Sequence, residues 1–387
     1  MGMVGGGQGA FIGAVHRIAA SLDGEIELVC GAFNSTKEKS ISSGLALYLE
    51  ESRCYETYDE MFKQELLLPE DKRMEFVAIV TPNHLHFPVA KLAIEHGFHV
   101  MSDKPATLSL SEAVELKTVL EKHNVLYGLT HTYNGYPLIK QAKHLIEQGE
   151  LGNIVKIVVE YSQGWLASKN DENSKQASWR LDPEKSGISC CMGDIGVHAA
   201  NLAEYVSGLN IRDICADLTS TVDGRMLDDD GAVLLKFSNG AKGVLLASQI
   251  SVGDENNLKL RIYGDKKSIE WCHLSPNTLW LKSNNEPTQQ IRAGVGPMCH
   301  AAQQAMRTPA GHSEGYLEAF ANIYLNFAHQ IRAYQKHEIC DNHTFDKQAF
   351  DVPGIDEAIR GMAFIESAVK ASRSETKWHP FMPELAK

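Results

Sequence analysis

The chain has 387 residues, 43% of them hydrophobic and 22% charged, with 49 acidic against 37 basic side chains and a formal charge of -12. That length suits two domains at roughly 150 residues each, and the apolar share is that of a packed protein, not a disordered one. No lysine–arginine stripe and no apolar run near the ~20 residues of a membrane span occurs, so neither nucleic acid nor a bilayer is an expected partner.

In chain order, the opening MGMVGGGQGAFIG lacks the basic and apolar regions of a signal peptide. Met3 and Val4 read as a short strand, and Phe11 to Ala20 as a helix after a glycine turn. Gly5, Gly7 and Ala10 satisfy G-x-G-x-x-G/A. The first glycine permits the tight turn, the second lets backbone approach a pyrophosphate, and the third, small position lets helix and strand pack closely. Gln8, Phe11 and Ile12 stand at the same turn and are expected beside the anion.

Strands are expected over Ile26–Ala32, Phe76–Val80, Phe98–Met101 and Val125–Leu129. Helices should follow a cap at Ser35 or Thr36, run from His84 to His96 and stop at Gly97, and run from Leu110 to His123 after Ser109 or Ser111. Strands alternating with helices of this length imply parallel βαβ units, hence a Rossmann-type dinucleotide-binding domain over 1–130. The tip of the second strand has no acid for a ribose hydroxyl. Asn34 and Ser35 could bond either that hydroxyl or a 2′-phosphate, and Lys37 could neutralise the latter, so NAD and NADP both stay open.

After Leu129 the pattern changes. Thr130–Tyr136 reads as a loop and Pro137–Gln148 as a helix. Strands are expected over Val155–Tyr161, Ile211–Thr221, Ala232–Phe237, Gly243–Ile250, Leu258–Tyr263 and Lys267–Trp271, with hairpin signals at Asn239-Gly240 and Gly264-Asp265. The expected architecture is α/β followed, over 131–387, by an α+β domain with a large open, mainly antiparallel sheet. The late helices Gly315–Tyr334 and Ile355–Ala371 should pack back on the core. Leu166–Ser178 and Trp280–Gly311 are expected as loops shaping a pocket, and Trp179-Arg180 offers an aromatic face and a guanidinium suited to a sugar. Eight cysteines (Cys30, Cys54, Cys190, Cys191, Cys215, Cys272, Cys299 and Cys340) form no C-x-x-C pair. They are expected reduced, in a cytoplasmic protein.

A helix from Asp194 to Tyr205 would set Asp194 and His198 at i, i+4 on one face. Such a pair is also half of a metal site, but no third ligand is apparent, and no metal is expected. A histidine titrates near neutral pH and suits proton transfer. Lys104 follows a strand at the carboxyl end of the sheet, where α/β enzymes place their chemistry, and Pro105 restricts it toward an extended conformation.

Together with the glycine turn, three segments resemble the Gfo/Idh/MocA oxidoreductases: Thr81-Pro82-Asn83-His84-Leu85-His86, Ser102-Asp103-Lys104-Pro105, and Gly193-Asp194-Ile195-Gly196-Val197-His198. The family usually has Glu where this chain has Asp103. The resemblance implies that Thr81, Pro82, Asn83, His86, Asp103 and Lys104 adjoin the nicotinamide ribose, and that Tyr133 lies near the nicotinamide. It implies catalysis by Lys104, Asp194 and His198, with His198 taking the hydroxyl proton, Lys104 assisting, and Asp194 holding a substrate hydroxyl. Arg307–Tyr316 resembles a segment of a subgroup that oxidises glycosides, which makes His312 a substrate contact beside Trp179 and Arg180. A plain loop role for His312 stands equally open. The implied activity is NAD(P)-dependent hydride transfer to or from a sugar, inositol or glycoside, in a homo-oligomer (dimer or tetramer) built on the open sheet face. Two alternatives remain: a glycosidase or lyase working by transient oxidation, and a non-catalytic cofactor-binding sensor.

Overall fold

The structure is a computed structural model that describes residues 1–169, 175–336 and 350–382. Two compact units emerge: Met1–Thr130 with Phe320–Ile359, and His131–Ala319 with Arg360–Lys387.

In the first unit, strands β1 (Gly2–Gly5), β2 (Cys30–Ala32), β3 (Phe76–Val80), β4 (His99–Ser102) and β5 (Tyr127–Leu129) lie in the order β2-β1-β3-β4-β5. Every neighbouring pair is parallel. Helices α1 (Phe11–Ser21), α2 (Lys37–Leu45), α3 (Tyr58–Leu66), α4 (His86–Glu95) and α5 (Leu110–His123) alternate with them. The end signals of α5 act as their chemistry demands: Ser109 Oγ accepts the Glu112 N–H, and Asn124 adopts φ 50° to close the helix. β3 is buried at all five positions, as a central parallel strand must be. Val77, Ile79, Val89, Ile94, Val100 and Leu116 belong to its core. Residues 320–335 of the long helix Tyr316–Gln335 join the same unit, with the Tyr324 and Phe327 rings 6.3 and 5.4 Å from that of Phe76.

β2 is shorter than its apolar run suggests. Its register starts at Gly2 against Cys30, so Ile26–Val29 have almost no strand beside them. Met1 ties them down, its carbonyl accepting the Val29 N–H and its amine donating to the Glu27 carbonyl at 2.8 Å.

The second unit carries β6 (Ile154–Ser162), β7 (Ile211–Thr219), β8 (Asp230–Phe237), β9 (Lys242–Ser248), β10 (Asn257–Gly264), β11 (Lys267–Cys272), β12 (Thr278–Ser283), β13 (Gln289–Arg292) and β14 (His379–Pro380). They form one sheet in the order β13-β12-β11-β10-β6-β9-β8-β7-β14. β6 and β9 are parallel, and every other pair is antiparallel. Helices α6 (Pro137–Glu147), α7 (Lys175–Arg180), α8 (Pro183–Ser186) and α9 (Val197–Ser207) follow the order of the chain. α9 packs on β6, β9 and β10, and α6 on β11 and β12. The covered face is apolar: Ile157, Val159, Leu235, Leu245, Leu260, Ile262 and Trp271 are buried.

Trp280–Gly311 is not the loop expected from sequence. It contains most of β12, all of β13 and a short helix, His300–Gln304. β12 alternates Leu279 and Leu281 inward with Trp280 outward, a period-two signal that was readable. β13 and β14 are short edge strands with little apolar alternation, and nothing in their composition marks them. No helix among the described residues is long and apolar enough to cross a membrane. Cys340 lies outside the described residues, and the other cysteines are free thiols.

Candidate functional site

The glycine turn of the first unit is a bare-backbone cradle. Gly5, Gly6 and Gly9 sit at φ 82°, 70° and 76°, where side chains are strained. At Gly7 a Cβ would lie 2.7 Å from the Phe33 carbonyl oxygen and 2.8 Å from Ser43 Oγ. A close approach of α1 to the turn is made at Gly13, which the motif does not count: a Cβ there would stand 2.4 Å from Gly6 Cα. Ala10 is the N-cap of α1, with no side-chain cap and no acid in the first turn, so the helix end is left for an anion. Arg17, unmarked by any motif, donates to the Gly6 carbonyl at 2.7 Å and pins the turn. The Gln8 N–H donates to Ser43 Oγ at 3.1 Å. Phe11 is 64% exposed at the helix start.

Beyond β2, Asn34 Oδ1 accepts the Thr36 N–H at 3.4 Å, Ser35 is exposed, and Lys37 Nζ lies 3.3 Å from Glu56 Oε2. Beyond β3, the Thr81 hydroxyl is buried with no hydrogen-bond partner among the described residues, and Pro82 leads into a 3₁₀ turn over Asn83–Leu85. A glycine cradle, an open helix end and an orphaned hydroxyl on one sheet fit the pyrophosphate and ribose of a dinucleotide. His86 does something other than face a ligand. It is 1% exposed, with Nδ1 2.6 Å from the Pro105 carbonyl and Nε2 2.9 Å from the Thr81 carbonyl, so it ties the two segments together.

At the end of β4, Asp103 Oδ1 accepts the Lys104 N–H at 2.9 Å and the Thr130 hydroxyl at 2.7 Å. Burial pushes the Asp103 carboxyl up, but His16, Lys104, His86 and the Thr130 hydroxyl more than reverse this and hold it below its usual range. The Lys104–Pro105 bond is cis.

In the second unit, Asp194 lies in a π-helical turn, Met192–Gly196, and α9 begins only at Val197. The regular helix expected from Asp194 is therefore interrupted, and such turns occur frequently at functional sites. Asp228, which no motif marked, holds the turn's entrance. Its carboxylate accepts the Cys190 N–H, the Met192 N–H and the Ser189 hydroxyl at 3.0, 3.0 and 2.9 Å, while Ser189 Oγ accepts the Gly193 N–H. Burial raises the Asp228 carboxyl against these donors.

Asp194 Oδ2 accepts from Gln249 Nε2 at 2.9 Å and lies 3.4 Å from Arg180 Nε. Arg180 is at the end of α7, its guanidinium 4.4 Å from the Trp179 ring centre and 5.9 Å from that of Trp165. His198 is 8% exposed, and the Tyr133 ring meets it edge-on at 5.0 Å. The Tyr133 and Tyr161 hydroxyls are hydrogen-bonded. Tyr161 donates to Asn256 Oδ1 at 2.7 Å, Asn256 Nδ2 donates to Tyr133 at 3.2 Å, and Gln163 Nε2 donates to Asn256 Oδ1 at 2.6 Å. Trp165 Nε1 closes the chain on Gln163 Oε1 at 2.8 Å. Burial pushes Tyr133 up to about 12 although the bonds to Tyr161 and Asn256 oppose it, so near neutral pH it is a phenol. Tyr161 and Gln163 continue the inward alternation of β6, and Gln249 that of Leu245 and Ala247 in β9, a signal the sequence held, whereas Asn256 stands just before β10 with none.

His312 stands apart from this cluster. It is exposed, bonded through Nδ1 to the Pro309 carbonyl at 3.2 Å, and lines a depression of about 430 Å³ with Asn277, Arg292 and Glu314. Neither Asp194, His198 nor Tyr133 lines that depression. Glu314 closes its loop by accepting the Arg307 and Thr308 N–H groups at 2.6 and 2.7 Å. Among the described residues no three or more histidine, cysteine or acidic side chains gather to hold a metal.

Residues 1–131 match the model of the oxidoreductase family with an NAD-binding Rossmann fold, and residues 139–270 match that of the GFO/IDH/MocA C-terminal domain. An uncharacterized oxidoreductase of Bacillus subtilis (strain 168) is 34% identical over 98% of this chain and 96% of its own. An inositol dehydrogenase homolog from Azotobacter vinelandii, solved with NAD+, superposes with a TM-score of 0.93 at 31% identity, covering 98% of this chain and 96% of that one. The same homolog solved with NADH and myo-inositol gives 0.90 at 30% identity over 98% and 97%. An oxidoreductase from Sinorhizobium meliloti gives 0.86 at 41% identity, covering 98% of both chains. The chain belongs to the Gfo/Idh/MocA family of NAD-binding oxidoreductases, enzymes of the dehydrogenase and reductase class that act on CH–OH groups.

Proposed function

We propose that this enzyme oxidises a secondary hydroxyl of a polyhydroxylated ring, in a sugar, inositol or glycoside, with NAD as hydride acceptor. The observation that carries the reading is the set around His198. A carboxylate held by an amide and a guanidinium, a phenol kept neutral, and two tryptophans offer acceptors, donors and flat apolar faces to a ring of hydroxyls. The Azotobacter homolog's complex with myo-inositol supports the same class.

His198 takes the hydroxyl proton, Lys104 assists as a donor when alkoxide character develops, and Asp194 accepts a bond from a neighbouring hydroxyl. NAD, when bound, accepts the hydride that leaves the carbinol carbon. The glycine turn, Asn34, Ser35, Thr81, Pro82 and Asn83 hold it, and NAD is preferred over NADP because Glu56 sits beside Lys37, the cation next to Asn34 and Ser35.

The test follows nicotinamide absorbance with a panel of sugars, inositols and glycosides, using wild type, Lys104→Ala and His198→Asn. Substrate-dependent NADH formation that each variant lowers by ~100-fold or more, the scale of general acid–base catalysis, is the expected result. Cofactor binding with no NADH formation on any compound would sink it and turn attention to glycoside cleavage by transient oxidation, or to a sensor.

We also propose a homo-oligomer. Leu234, Val244, Leu246, Val158 and Trp280 share the sheet face turned away from α6 and α9, with Leu234, Leu246 and Trp280 at 42%, 39% and 37% exposure. Light scattering should report a dimer or tetramer that Leu246→Glu dissociates. A monomeric wild type would refute this.

A further inference from the structure

His16 is a buried histidine on the first helix that the proposed chemistry does not use. It is 0% exposed, its Nδ1 2.6 Å from the Tyr324 hydroxyl and its Nε2 3.9 Å from Asp103 Oδ2, with the Phe320 ring against its edge at 4.7 Å. Asp103 therefore divides its carboxylate. Oδ1 holds the Lys104 N–H and the Thr130 hydroxyl, and Oδ2 faces the imidazole.

We propose that His16 and Tyr324 are positioning residues for Lys104, a buried Tyr–His pair that fixes the partly buried Asp103 carboxylate and, through it, the backbone from which the lysine projects. Burial brings His16 down to about 4, so at neutral pH its ring carries one proton. When the Tyr324 O–H donates to Nδ1, that proton must sit on Nε2, turned toward the carboxylate. A Tyr324 hydroxyl that instead accepted from Nδ1–H would leave a lone pair against Asp103 Oδ2, a repulsive arrangement. The carboxylate thus selects the tautomer, the Tyr324 hydroxyl secures it by donating to Nδ1, and the carboxylate so held anchors Lys104. The chain also accounts for the aspartate. With the imidazole at 3.9 Å, the extra methylene of a glutamate would drive the carboxylate into the ring, so His16 occupies the space that the longer acid needs.

The inference rests on the reading of Lys104 as a catalytic group, and one arm of its test does not depend on activity. Nitrogen spectra of ¹⁵N-histidine-labelled protein should show His16 as the Nε2–H tautomer in wild type, with that preference weakened in Tyr324→Phe, which removes the donor to Nδ1 and keeps the carboxylate. An Nδ1–H tautomer in wild type overturns the proposal whether or not the protein turns over any polyol. The kinetic arm compares His16→Ala, His16→Gln, Tyr324→Phe, Asp103→Glu and the His16→Ala/Asp103→Glu double variant. His16→Ala should lower kcat by roughly 10- to 100-fold, the range that a small misplacement of a reacting group costs, with NAD affinity and substrate KM within about threefold of wild type. Gln, whose amide nitrogen can stand where Nε2 stood, should recover most of that loss. Asp103→Glu should be poor alone and better when combined with His16→Ala. A folded His16→Ala or Tyr324→Phe with kcat within about twofold of wild type overturns the proposal, as does a loss confined to NAD affinity, which would make His16 merely a support of the glycine turn. If His16→Ala does not fold, Tyr324→Phe decides by the same criteria. An inactive wild type with the expected tautomer counts against the dehydrogenase reading and leaves the positioning chain standing.

Discussion

The two units place their chemistry by opposite means. The first works through backbone: the Gly7 N–H on the Phe33 carbonyl, Arg17 on the Gly6 carbonyl, and His86 on the Thr81 and Pro105 carbonyls. The second works through side chains that hold one another: Trp165 on Gln163, Gln163 and Tyr161 on Asn256, and Gln249 and Arg180 on Asp194. Backbone geometry is set by a few glycines and changes little when other residues change, which suits a cofactor shared by many enzymes. A side-chain network alters shape with each substitution, which suits a substrate that differs from one relative to the next. The network has its own cost, because each buried polar group left unpaired loses about 1–3 kcal/mol.

The largest effect separates the two designs. In Gly13→Val the new side chain meets backbone at 2.4 and 2.6 Å from Gly6 Cα and O, and neither atom can move without moving the turn. A loss of about 3 kcal/mol, the upper end for overpacking, and of NAD binding by calorimetry, is expected. Asn256→Ala should instead leave NAD affinity near wild type, cost about 1–3 kcal/mol of stability through the Tyr161 and Gln163 groups it strands, and raise substrate KM about tenfold, as the loss of roughly 1.4 kcal/mol of binding would. A stable, NAD-binding Gly13→Val protein would erase the distinction.

The same contrast explains what the sequence allowed to be read. The glycine spacing, the buried run of β3 and the caps of α5 are local demands of backbone, and each was visible within a short window. Asp194 and His198 were visible because one turn carries both. Tyr161, Gln163, Gln249, Asn256 and Asp228 come from separate strands and connections, and only folding brings them together. His16 was hidden differently, on a helix whose apolar neighbours made it look like ordinary core. Gly13 stood in plain view, outside the three positions that the motif counts.

Acid should expose a smaller difference. Burial lowers His16 and His99 in the first unit and His273 in the second to about 4, and the Leu126 N–H donates to His99 Nδ1 at 3.0 Å, a bond that protonation abolishes. The unfolded chain takes up these protons near 6.5, the folded protein only near 4, so between those values the unfolded state binds more. Stability is full above about 6.5 and is lost as pH falls toward 4, with a slope of up to about 1.4 kcal/mol per pH unit for each histidine. Denaturant midpoints measured every half unit should show the slope reduced in His99→Gln and again in His273→Gln. Unchanged slopes would mean that these rings are not held neutral.

The smallest effect concerns the tip of β2, where the backbone-built unit relies on one exposed side-chain pair. Lys37 and Glu56 are 59% and 49% exposed at 3.3 Å, and pairs of this kind are worth roughly 0.2–1 kcal/mol. Glu56 acts less by stabilising the fold than by answering the lysine that would otherwise meet a 2′-phosphate. In Glu56→Gln the local charge rises by one and Lys37 is released, so the ratio of kcat/KM for NADP over NAD should rise by about two- to fivefold, more at low salt than at high. Melting temperature should stay within a degree or two. A ratio that does not move, or that moves equally at all ionic strengths, would place the discrimination in the neutral contacts of Asn34 and Ser35 instead of in charge.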